Sequence, residues 1–158
     1  MTDPCSTTAA PAATPAEQLA SLMREVTRSL RANVDRRLEP MGLSQAQWRP
    51  LLALHQADGP LTQTELARTL EIEAPSLVRL LDRLADKNWI ERRSAPGDRR
   101  VRQVFLTPSA LELIRQILPV VHQVKEEAFA RLSAAEIAAC LVTLGKIRDN
   151  VRGPAPEG

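Results

Sequence analysis

Two short helical segments three residues apart, 62–70 and 74–87, run straight into a ribbon of arginines. No other feature constrains the fold of this 158-residue chain as much. Thr62 with Glu65 forms a capping box at the start of the first segment. Ala74-Pro75-Ser76 opens the second, with Pro in the first turn, where its missing N–H costs nothing. Leu77, Leu80, Leu81 and Leu84 line one side of the second segment, and Ser76, Arg79 and Arg83 the other. Arg79 and Arg83 are four residues apart and share a stripe. This spacing is that of a helix-turn-helix, whose second helix enters the DNA major groove. An Arg there can donate two hydrogen bonds to guanine. Asp82 and Asp86 lie on the same helix, so a merely solvated face fits the pattern as well.

The ribbon narrows the choice. Ile90 to Ser94 and Val101 to Leu106 are strand-like, and Ala95-Pro96-Gly97-Asp98 between them is turn chemistry, predicting a β-hairpin with a loop longer than two residues. From Arg92 to Arg102 it carries Arg92, Arg93, Arg99, Arg100 and Arg102 against one acid, Asp98, a local charge of +4. An arginine-tipped ribbon beside a helix-turn-helix can reach the narrow minor groove. Asp98 is expected to pair with a neighbouring Arg and orient its fork.

Long helices flank this middle. Thr14-Pro15-Ala16-Glu17 opens the first, with apolar residues at Leu19, Leu22, Met23, Val26, Leu30, Val34 and Leu38, and Pro40 and Gly42 stop it. Ser44 with Gln47 opens a second helix to about His55, with Pro50 a candidate kink. Thr107-Pro108 and Ser133 with Glu136 open the last two, and their apolar stripes are wider than one small chain can cover. The expected organisation is one domain over 15–152, mainly α with a small β-hairpin wing. Within it, 44–107 form a winged helix-turn-helix with the wing at about 90–106. Residues 1–14 and 153–158 are Ala-, Pro- and Gly-rich tails without a face to bury.

Composition removes several alternatives. Aromatic residues make up 3% of the chain and Tyr is absent, which argues against a base-stacking single-strand binder. No apolar stretch approaches the roughly 20 residues of a membrane span. Residues 1–14 lack the basic start and apolar run of a secretory signal. Cys5 and Cys140 alone cannot make a disulfide framework, so a reduced, cytoplasmic protein is expected. Six glycines without a phosphate-cradling loop, and no Ser, His and acid set, point away from an enzyme. A helical interaction protein without a DNA target is the other class. It accounts for the flanking helices but not for the arginines.

Leu66-Ala67, Ile72 to Asp82 (IEAPSLVRLLD), Leu84 to Lys87, and Pro96 to Arg100 (PGDRR) with Phe105-Leu106-Thr107 resemble the MarR family of winged-helix transcriptional regulators. The segments IEAPSLVR and LSQAQW…HQ look most like its SlyA branch. The resemblance spans roughly residues 17 to 151. It implies a homodimer held by helices over 15–39 and 108–151, straddling a pseudo-palindromic double-stranded operator. It also implies that Pro75, Ser76, Arg79 and Arg83 face DNA and that Asp98, Arg99 and Arg100 form the wing motif. Where most members have Gly after the Lys that closes the recognition helix, this chain has Asn88, which also tolerates a left-handed conformation.

The resemblance further implies a small aromatic carboxylate or phenolic effector between the two parts, and no cofactor. Arg24, Arg28 or Arg31 can pair with its carboxylate. Trp48 and His55, seven residues apart on one helical face, can wall it. Trp48 and His55 are equally ordinary as core residues. Cys140, on the apolar face of the last helix, is expected to be a buried structural thiol. His122 and Glu126 are too isolated to make a metal site.

Overall fold

Five of the α-helices begin at a Thr or Ser standing just ahead of an apolar-periodic run. The computed structural model describes residues 13–95 and 98–153, with 98–100 described as backbone. The elements are α1 (Pro15–Leu38), a 3-10 turn (Glu39–Met41), α2 (Gln45–Gln56), β1 (Leu61–Thr62), α3 (Gln63–Leu70), α4 (Ala74–Asp86), β2 (Ile90–Ala95), β3 (Asp98–Leu106), α5 (Pro108–Phe129) and α6 (Ala134–Arg152). Capping boxes at Thr14, Ser44, Thr62 and Ser133 are all formed; the Glu65 carboxylate, for example, accepts the Thr62 N–H at 2.8 Å. Each satisfies backbone donors that a helix start leaves open. Those hydrogen bonds hold the Glu17, Glu65 and Glu136 carboxyls below their ordinary range.

The fold is mainly helical with a small antiparallel sheet, ordered β1-β3-β2. Its register pairs Ile90 with Leu106 and Arg92 with Val104. The two-residue strand β1, which pairs Leu61 with Val104, adds an edge that no sequence pattern predicts. The wing's arms are also longer than expected: they reach Ala95 and start again at Asp98, which pair with each other. Pro96 and Gly97 lie outside the described residues.

One core serves the middle of the molecule. Leu77, Leu80, Leu81 and Leu84 of α4 are buried as their spacing predicts, against Leu66 and Leu70 of α3, Leu51 and Leu52 of α2, and Ile90 and Val104 of the sheet. Ala110, Ile114, Ile117, Val121 and Val124 give α5 a buried spine, on which Val34 and Leu38 of α1 pack. Gly42, at φ 69°, takes the left-handed turn that lets α2 fold back on α1. Asn88 takes the left-handed conformation expected of it, at φ 56°. Its carbonyl accepts hydrogen bonds from the hydroxyls of Thr107 (2.7 Å) and Ser109 (2.6 Å), which pins the base of the wing to the start of α5.

The outer parts are bare. No residue of α6 is buried, and the first fifteen residues of α1 are exposed. Leu19, Leu22 and Val26 of α1, and Leu141, Leu144 and Val151 of α6, all stand in solvent. Cys140 is exposed in the protomer, contrary to the expectation of a buried thiol, because among the described residues no element packs extensively over α6. Among the described residues, no single helix is long and apolar enough to cross a membrane.

Candidate nucleic-acid interface

α4 divides its residues by face. Four leucines fasten it to the core, so the opposite side must look outward, and Pro75, Ser76, Arg79 and Arg83 are all exposed there. Ser76, Arg79, Asp82 and Arg83 line one shallow open depression. The sequence pattern did not single out Val78, which is 42% exposed on the same helix. An exposed valine among Ser and Arg is an apolar point suited to a thymine methyl.

Asp82 is not the repulsive charge that its place on this face suggests. Its carboxylate accepts a hydrogen bond from Arg92 Nη2 at 2.6 Å, tying α4 to β2. Arg93 donates to Glu91 at 2.7 Å and lies 4.9 Å from the centre of the Phe105 ring. Two of the five ribbon arginines are therefore committed to orienting the wing, so the local charge available to a ligand is smaller than a count implies. Arg102 is exposed and has no ion-pair partner among the described residues. β3 carries Asp98, Arg99 and Arg100 at the tip end of the ribbon. The side chains of these three, and with them the expected Asp98–Arg pair, lie outside the described residues.

The candidate effector residues separate. A cavity of about 470 Å³ opens between α1, α2, the end of α3 and α5, and both Arg31 and Trp48 line it. Trp48 is buried and its Nε1 donates to Asp35 at 3.3 Å, so its ring is both core and cavity wall. Arg24, Arg28 and Arg31 line a neighbouring, more polar cavity of about 420 Å³ with Gln45 and Glu71. His55 lines neither. It is exposed in the last turn of α2, while Trp48 lies at the helix start, under α1, so the shared-face expectation fails at that end. Arg49, which no sequence pattern singles out, also lines the larger cavity. Among the described residues, no three His, Cys, Asp or Glu side chains gather as a metal site.

A model of the MarR family matches residues 41–101, the span from the start of α2 to the wing. Over the whole fold the chain is similar to the transcriptional regulator PA3341, with 36% identity, a TM-score of 0.79, and coverage of 85% of this chain and 98% of that one. It is similar to apo MarR from E. coli at 29% identity and a TM-score of 0.70, covering 87% and 98%. A cysteine-to-serine variant of that protein, solved in complex with operator DNA, matches at 29% identity and a TM-score of 0.71, covering 82% and 93%.

Proposed function

The chain belongs to the MarR family of transcriptional regulators, and on that premise we propose that it binds double-stranded DNA as a homodimer. Each protomer lays α4 in a major groove and its wing along the adjacent minor groove of a pseudo-palindromic operator. The observation that carries this reading is the outer face of α4. Its leucines hold it to the core, and Ser76, Arg79 and Arg83 stand clear of it around one depression. In these roles Arg79 reads a base edge, Val78 meets a thymine methyl, and Ser76 and the start of the helix meet phosphate. Pro75 fixes the first turn, Arg83 reaches the flanking backbone, and Arg99 and Arg100 enter the minor groove beside Asp98.

Dimerisation supplies what the protomer lacks. The bare stripes of α1 and α6 are apolar, and a second copy both covers them and places a second α4 one helical turn of DNA away. An apolar acid in the cavity between the helical part and the winged part is the effector we favour, with Arg31 and Trp48 in its wall. The segments IEAPSLVR and LSQAQW favour the SlyA branch within the family. This is the reading of a DNA-binding protein of the cytoplasm, not of an enzyme. It prevails over the helical interaction protein because a relative was solved on its operator and because Ser76, Arg79 and Arg83 stand exposed on the outer face of α4.

Fluorescence anisotropy tests it, using the DNA upstream of the gene and a scrambled duplex at one stated salt concentration. A gap on the order of 10³ or more is expected. Arg79→Ala should cost roughly 1–3 kcal/mol and relax preference at one position per half-site. Unchanged discrimination in that variant means α4 does not read the bases.

A further inference from the structure

Arg49 stands out among the residues around the larger cavity. It lies on α2, half-buried beside Trp48, with Arg31 and Lys125 as the other cations in the lining and no acidic residue there. None of the three has a carboxylate partner among the described residues. Burial and the neighbouring Arg31 both disfavour the Arg49 charge, with Glu71 the nearest compensation, and its pKa is lowered accordingly. A cation in such a place gains from an anion more than a solvated one does.

Arg49 also has a structural partner. Its Nη2 donates to the carbonyl of Leu70 at 3.2 Å. Leu70 ends α3, and Glu71 turns the chain through the left-handed region, at φ 56°, toward α4. A helix's last carbonyls have no partner within the helix, so Arg49 fills a vacancy at the joint between the two DNA-binding helices. A guanidinium has five donors, and only one, on Nη2, is engaged here; the second Nη2 hydrogen with its neighbouring N–H leaves one two-donor edge for a carboxylate.

We propose that Arg49 is the residue that selects an anion in this cavity and couples its occupancy to the α3–α4 turn. The ligand is an apolar molecule bearing one carboxylate, its flat body against Trp48 and its carboxylate on the free edge of the Arg49 fork. A charge-assisted pair on one edge of that fork is stronger than a single bond to a neutral carbonyl on the other. The anion therefore dictates where the guanidinium sits, and the Leu70 carbonyl follows. This rests on the effector reading above, to which it adds a specificity-determining residue and a route of coupling.

The test uses the full-length protein with 2-naphthoate and its neutral isostere 2-naphthamide, measured by calorimetry, and DNA affinity with and without each. Wild type should prefer the carboxylate by on the order of tenfold to a hundredfold. Arg49→Met should keep 2-naphthamide binding and lose that preference, and Arg49→Lys should restore part of it. 2-Naphthoate should raise the DNA Kd of wild type by fivefold or more, about the lower end of typical coupling, and leave that of Arg49→Met unmoved. If Arg49→Met loses 2-naphthamide too, Arg49→Lys decides: intact amide binding with most of the carboxylate preference gone supports the assignment. The assignment is overturned if wild type shows no preference, if Arg49→Met retains it, or if Arg31→Met alone abolishes it. DNA binding without ligand is a separate arm, and its failure strikes the operator reading instead.

Discussion

Leu141→Ala isolates the role of the bare α6 stripe. Leu141 is 68% exposed in the protomer, and Ile137, Leu144 and Val151 continue the same stripe at helical spacing. Full burial of a leucine side chain is worth about 1.5–3 kcal/mol, so covering the exposed two-thirds is worth roughly 1–2 kcal/mol per copy. A two-fold interface uses the residue twice. The truncation should therefore cost roughly 2–4 kcal/mol of dimer, a rise of about 30- to 800-fold in the dimer Kd. Sedimentation velocity across a dilution series reads this directly. Because Leu141 contributes nothing to the protomer core, the circular dichroism spectrum of the variant should match that of wild type. Dissociation identical to wild type, or a wild type that is monomeric at every concentration, refutes the dimer assigned to these helices.

The Asp82–Arg92 pair is partly exposed, so a double-mutant cycle on thermal stability should give a coupling of only about 0.2–1 kcal/mol. The same cycle on DNA affinity should give the larger coupling, since the pair sets the wing's angle to α4. Equal, small values in both make Asp82 an ordinary surface acid. Acid titration tests the caps. The Glu17, Glu65 and Glu136 carboxyls sit lower in the folded chain than in the unfolded one, their stabilisation is complete above the ordinary glutamate pKa of about 4.3, and it is lost as pH falls through and below that value. Thr62→Ala removes the hydroxyl that donates to Glu65 but keeps the backbone N–H that does so as well, so it should cost about 1 kcal/mol at neutral pH and flatten the acid limb of a melting-temperature profile in part. An unchanged acid limb means Glu65 gains nothing from the cap.

Helix starts, the leucine face of α4 and the ribbon were legible because each rests on near neighbours in sequence. Caps act over three residues, faces over three and four, and hairpins over adjacent strands. What escaped depends on tertiary closure. β1 has two residues, too few for an alternation, and exists only because β3 offers an edge. Asp82 and Arg92 are ten residues apart across a turn, at a spacing that follows no period, so a committed pair looked like two loose charges. Arg49 carries no local signal, because its hydrogen bond to the end of α3 joins residues 21 apart and forms only on tertiary closure. His55 and Trp48 share a helical face by arithmetic, yet the core along α2 ends at Leu54 and leaves His55 exposed. Cys140 lies at an apolar spacing that suggested burial, and it is exposed because no residue of α6 is buried in the protomer.

The double hydrogen bond at Asn88 makes the wing and α5 a single lever. α5 has 22 residues, an arm of about 33 Å. A tilt of about 5° at its far end displaces the wing end by about 3 Å, close to the roughly 3.4 Å rise of one base step. In the dimer proposed above, with no slack at the junction, a misalignment too slight to disturb the packing between two copies would put both wings one rung out of step with their grooves. Tolerance to operator spacing in that dimer would then depend on the stiffness of one carbonyl's two hydroxyl partners, away from the outer face of α4.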